Sequence, residues 1–156
     1  MIYINETAVV DEGAILGDGT KVWHFTHIMK SAEIGENCTI GQNCFIGENV
    51  KIGNNVKIQN NVSVYDGVII EDNVFVGPSV VFTNVKFPRS NEPVNKVYLT
   101  TIISKGSSIG ANSTIVCGNT IGENAFIGAG SVVTKNVNSN VLCYGNPAKE
   151  IKKIEK

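Results

Sequence analysis

IGENCTIGQNCFIGENVKIG, residues 34–53, repeats itself every six residues. Each unit holds an aliphatic residue, a glycine, two polar residues, a small or β-branched residue and a variable one. The aliphatic anchor extends far beyond this stretch. Steps of six from Ile4 pass through Val10, Leu16, Val22, Ile28 and Ile34 and on to Val76 and Phe82, and none of these fourteen positions is polar. A second series, four residues after each anchor, runs from Ala8 through Thr20, Thr26, Cys38 and Cys44 to Val80 without a charge. The anchors resume at Ile103, Ile109, Ile115, Ile121, Ile127 and Val133.

A period of six does not fit a helix, because successive anchors would rotate by about 240° around an axis of 3.6 residues per turn. It fits a short strand followed by a corner. The anchor points inward, the small residue fills the corner, and the neighbours alternate outward. Three such sides close a triangular coil, which pairs with the next about 4.8 Å along the axis. No coil buries its face alone, and each anchor covered by the stack contributes roughly 1.5–3 kcal/mol. The pattern predicts an all-β fold, a parallel β-helix of hexapeptide repeats that occupies residues 1–156 as a single domain.

Sixteen glycines against four prolines suit a solenoid with many corners, and 7% aromatic content suits a narrow aliphatic core. A net charge of −1 without a basic run argues against nucleic acid as a partner. No apolar stretch is long enough to span a membrane, and MIYINETAVVDEG has no signal-peptide pattern. Cys38, Cys44, Cys117 and Cys143 form neither a disulfide framework nor a zinc knuckle, so no metal is expected and the cytoplasm is the expected compartment.

Taken in order, residues 1–33 carry imperfect hexads and the only histidines, His24 and His27. Steps of eighteen place His24, Gln42 and Asn60 in one outward column and Phe25, Asn43 and Asn61 beside it. These amides either close a corner as a hydrogen-bonded ladder or, with Tyr65, line a cleft for a sugar or base edge, which calls for directed donors and acceptors. From 83 to 102 the period breaks, since Phe82 to Ile103 spans 21 residues. Pro88, Pro93 and the lone arginine, Arg89, mark an extruded loop there. In the tail, about 144–156, Pro147 suits a first helical turn and Ile151 with Ile154 an apolar edge, so a short C-terminal helix is expected to cap the solenoid.

The hexad resembles that of the left-handed β-helix acyltransferases, and the left hand of the coil is implied by that resemblance. GAGSVVTKNV followed by GNPAK is similar to their terminal coil, where backbone lines the pantetheine arm of coenzyme A. The resemblance assigns Gly128, Ala129, Gly130, Asn146 and Pro147 to that arm, and Lys105, Lys135 and Lys149 to its phosphates. VWHFTHI, QNNVSVYDGVIIEDNVFVGPSVVFTNV and PR look like a narrower group. Its members acetylate the 3-amino group of a UDP-linked diacetamido uronic acid precursor for surface polysaccharides, and close relatives acetylate dTDP-linked 3-amino-6-deoxyhexoses. The resemblance implies acetyl-CoA as cosubstrate, a nucleotide-sugar acceptor, and a homotrimer with sites between subunits. It points to Asn84, in FTN, as the residue that orients the amine, with His24 or His27 as a rival base. It extends acceptor binding to His24, Gln42, Asn60, Asn61, Tyr65 and Arg89. The competing readings are an acetyltransferase for a 4-amino sugar or an O-acyl acceptor, a non-catalytic solenoid, and a γ-type carbonic anhydrase. The last needs three imidazoles on zinc where this chain has two histidines.

Overall fold

The computed structural model describes residues 1–91 and 98–155. Strands mostly of two or three residues stack into three sheets of nine, seven and six strands, parallel except for the last strand of the first sheet. The first sheet begins with Tyr3–Ile4, the second with Val9–Val10 and the third with Ile15–Leu16. Each strand pairs with the one a coil away: Tyr3 faces Lys21, Lys21 faces Thr39, and Lys57 faces Phe75. Three edges join the sheets, and most of the candidate site residues lie on them.

The hexad explains the local geometry. Anchors such as Val22, Ile28, Ile40, Ile46 and Ile58 are fully buried. The residue before most small corner residues adopts a left-handed backbone, with φ of 54° at Asn37, 55° at Asn43 and 61° at Asn61. Asparagine tolerates that region at low cost, which explains its recurrence there. The glycine after the anchor answers a different need. A Cβ on Gly35 would lie 2.7 Å from the carbonyl carbon of Gly53 in the next coil, so only hydrogen fits.

The small corner residues include hydrogen-bonding ones, and these link coils. The Thr26 hydroxyl donates to the Gly41 carbonyl at 2.7 Å and accepts from the Cys44 N–H at 3.1 Å. Thr20 does the same with Gly35 and Cys38, at 2.8 and 3.0 Å. The Cys38 and Cys44 thiols donate to Gly53 and Gln59, each at 3.1 Å. Burial pushes both thiols above the usual cysteine range. Thr26→Val keeps the shape but leaves a buried N–H and carbonyl unmet, at a cost of about 1–3 kcal/mol. A lower urea midpoint with an unchanged slope is the expected result.

The loop leaves the second sheet after Phe82 and the chain re-enters the third sheet at Thr101–Ile103. The break is therefore 83–100, two residues shorter than the spacing suggests. Beyond it Phe75 pairs with Ser108, and the stack continues without a change of face. Tyr98 and Leu99 cover Gly67, whose added Cβ would lie 3.1 Å from the Leu99 carbonyl oxygen.

The tail corrects one expectation. No helix forms at the C-terminus. Ala148–Lys153 is a strand, antiparallel to Val141–Gly145 in the first sheet, and Pro147 lies in the hairpin turn. The last coil offers a row of unpaired backbone groups, and a tail that pairs with them satisfies both. An isolated helix of this length would gain too little to compete.

Candidate active site

Each edge gathers a different set of side chains. On the edge between the second and third sheets a cavity of about 320 Å³ is lined by Met29, Phe45, Glu48, Tyr65, Asp66, Asn84 and Tyr98. Asn84 is half-buried at the mouth of the loop. Its Nδ2 donates to the Asp66 carbonyl at 3.3 Å, a bond that only the N–H end of the amide can make. Oδ1, the acceptor end, takes no hydrogen bond among the described residues. The rings of Phe45 and Tyr65 lie 5.6 Å apart and form one wall. Further along the same face, the His27 ring meets Phe45 edge-on at 5.8 Å, and its Nε2 lies 3.1 Å from Asp11 Oδ1.

The edge between the first and second sheets holds His24, Gln42 and Asn60, with Trp23, Gln59 and Gly41, around a cavity of about 230 Å³. The Asn60 side chain accepts from the Gln42 N–H at 3.0 Å. Asn61 accepts from Asn43 Nδ2 at 2.9 Å, so these two amides form a corner ladder. His24 Nε2 lies 3.2 Å from Asn5 Nδ2. Asn5 Oδ1 is held by the N–H and hydroxyl of Thr7 at 3.0 and 2.8 Å, which directs the NH₂ group toward the ring. His24 Nε2 therefore accepts, and its proton sits on Nδ1. A ring nitrogen already occupied in this way is poorly placed as a base.

Higher on that edge come Gly128, Ala129 and Gly130, about 24 Å from His24 at five coils of 4.8 Å. The hairpin turn with Asn146 and Pro147 lies above them, and Lys149 follows it opposite Tyr144. Ser131 ties the two levels together: its hydroxyl donates to the Gly128 carbonyl at 2.6 Å and accepts from the Gly145 N–H at 3.2 Å. Tyr144 covers Gly128, while a Cβ on Gly130 would meet nothing. The result is an open ledge of backbone.

Three assigned residues stand elsewhere. Lys105 is on the third edge, where its N–H donates to Glu71 Oε2 at 2.8 Å. Lys135 is on the edge of Asn84, above the loop. Arg89 is exposed on the loop and donates to the Pro88 carbonyl at 2.9 Å. Within one chain, the ledge at Gly128 and the cavity at Asn84 open on different edges. Sequence reasoning missed Phe45, Met29 and Asp11 as neighbours of the cavity. Steps of eighteen from Tyr65 and Ser63 lead toward them, but their types gave no reason to look. Among the described residues no group of three or more His, Cys, Asp or Glu side chains is placed to hold a metal ion.

The family described as the hexapeptide repeat of succinyl-transferase matches residues 100–135, and the GMPPB C-terminal domain matches residues 22–95. The chain folds as a parallel β-helix of hexapeptide repeats. Over 49 residues it is 52% identical to the dTDP-3-amino-3,6-dideoxy-alpha-D-galactopyranose 3-N-acetyltransferase of Aneurinibacillus thermoaerophilus. That match covers 31% of this chain and 26% of the relative. Among solved structures, a Bacillus cereus protein provisionally described as an acetyltransferase is 27% identical, with a TM-score of 0.55 over 98% of this chain and 83% of its own. An N-acyltransferase from Bacillus cereus, in complex with dTDP-4-amino-4,6-dideoxyglucose and coenzyme A, is 18% identical, with a TM-score of 0.61 over 99% of this chain and 84% of its own. At that identity the likeness speaks for the fold.

Proposed function

We propose that the protein is an acetyl-CoA-dependent N-acetyltransferase acting on the 3-amino group of a nucleotide-linked amino sugar, in the cytoplasm, toward a surface glycan. The observation that carries this reading is Asn84, its Oδ1 unbonded among the described residues, in the lining of a cavity walled by Phe45 and Tyr65. An amide oxygen accepts a hydrogen from a neutral amine and aims its lone pair, but does not take the proton. Holding that amine against a thioester carbon supplies much of the rate. The local identity to a 3-amino-sugar N-acetyltransferase, which extends over 49 residues, supports the same reading. Acetyl-CoA would lie along the ledge of Gly128, Ala129 and Gly130, with Asn146, Pro147 and Lys149 above. A backbone N–H there would meet the oxyanion as the amine adds to the thioester carbon. The thiolate of coenzyme A then leaves, and the amine proton passes to it or to water. The sequence resemblance puts a UDP-linked 3-amino uronate first as acceptor and a dTDP-linked 3-amino-6-deoxyhexose second.

The ledge and the cavity flank the second sheet, whose outward residues from Val9 to Val132 include no lysine, arginine, aspartate or glutamate. A homotrimer that packs along this face would set the ledge of one copy against the cavity of the next. Mixed assemblies test this. Asn84→Ala and a ledge variant such as Gly130→Trp, each strongly impaired alone, should together exceed the activity of either when refolded as a mixture. No recovery would place both halves of the site in one chain. For the activity itself, the test is coenzyme A release from acetyl-CoA against 3-amino and 4-amino nucleotide sugars. Turnover only with 4-amino acceptors would overturn the proposed acceptor.

A further inference from the structure

The charge of the Asn84 cavity bears on which sugar enters it. Its lining carries two carboxylates, Glu48 and Asp66, and among the described residues no lysine or arginine. Asp66 Oδ2 accepts from the neutral Asn49 amide at 3.2 Å and has no cationic partner among the described residues. Glu48 meets Lys30 Nζ at 3.7 Å, a largely exposed cation that is not part of the lining. The lining that these described residues contribute is thus net negative beside Asn84.

A carboxylate pair treats the two acceptor classes differently. A 3-amino sugar arrives largely as an ammonium ion, and both classes share that group. A uronate adds a negative charge at C5, on the same small ring and within a few ångströms of the amine. The two carboxylates repel that charge, to an extent that salt screens, and like-charge contact is an effective means of rejecting a ligand. The rest of the lining, Met29, Phe45, Tyr65 and Tyr98, suits a methyl group better than a carboxylate.

We infer that Glu48 and Asp66 are specificity-determining residues that select a neutral 3-amino-6-deoxyhexose and exclude a 3-amino uronate. This deepens the proposed function, rests on it, and reverses the order of acceptors implied by the sequence resemblance. It assigns the two side chains to acceptor choice, with Asn84 left to orient the amine that both classes share.

The test is kcat/KM for two acceptors on the same nucleotide, a 3-amino-6-deoxyhexose and the corresponding 3-amino uronate, with the wild type, Glu48→Gln, Asp66→Asn and the double variant. The wild type should favour the 6-deoxyhexose by about tenfold or more, and added salt should narrow the gap. The double variant should bring the two within about twofold, chiefly through a lower KM for the uronate. Both changes are isosteric at solvent-facing sites, and a melting curve confirms that the fold persists. A wild type that prefers the uronate, or a preference unchanged in the double variant, overturns the inference while the acetyltransferase reading stands. Turnover of neither acceptor overturns that reading and this inference with it.

Discussion

Asn84→Ala is expected to lower kcat by about thirty-fold to a thousand-fold while leaving folding and coenzyme A binding nearly intact. The range corresponds to loss of one transition-state hydrogen bond of roughly 2–4 kcal/mol. Asn84 is half-buried on an edge outside the core, and its one hydrogen bond among the described residues, to the Asp66 carbonyl, is 3.3 Å long. Its removal leaves no anchor exposed. His24→Ala provides the contrast. His24 lies on another edge, with Nε2 already accepting from Asn5, so its loss should affect acceptor KM more than kcat. Steady-state kinetics with acetyl-CoA and a nucleotide-linked 3-amino sugar measures both. Normal turnover by Asn84→Ala alongside a dead His24→Ala would make the histidine the base and remove Asn84 from the mechanism.

Ile46→Asp should abolish folding. Ile46 is fully buried and stacked between Ile28 and Val64 of the adjacent coils. A carboxylate there has neither partner nor water, and the penalty of several kcal/mol competes with a total stability of roughly 5–15 kcal/mol. The variant should give an insoluble product or a circular dichroism spectrum without a cooperative melt. Glu48→Gln, two residues away but on the outside, should melt within a few degrees of the wild type. If the two variants melt alike, the inward and outward positions of the hexad have been exchanged.

Residues such as Ile46 and Glu48 show why so much of the fold is legible. Every coil applies the same rule, and fourteen anchors in one phase leave no other reading of which side faces in. The columns before the loop follow from that rule, so Glu48, Asp66 and Asn84 fall on one edge by steps of eighteen, as do His24, Gln42 and Asn60. Past the loop the rule loses its origin. Phe75 pairs with Ser108, 33 residues on, where earlier coils pair at eighteen, and an insertion of unknown path hides that offset. Lys105 and Lys135 could not be assigned an edge for this reason.

The sequence by itself determined the inward phase of the repeat, the position of the loop and the column that contains Asn84, because each depends on spacing along the chain. Tertiary structure decided the rest. Ala148–Lys153 became a strand because the last coil's edge lacked a partner, a need created only by the stack beneath it. The tautomer of His24 depends on Asn5 and Thr7, one coil below. The engagement of Asn84 Nδ2, which leaves Oδ1 as the acceptor, depends on a carbonyl one coil away. These are contacts between coils at the edges, where the period leaves side-chain identity free and each neighbour decides what the other can do.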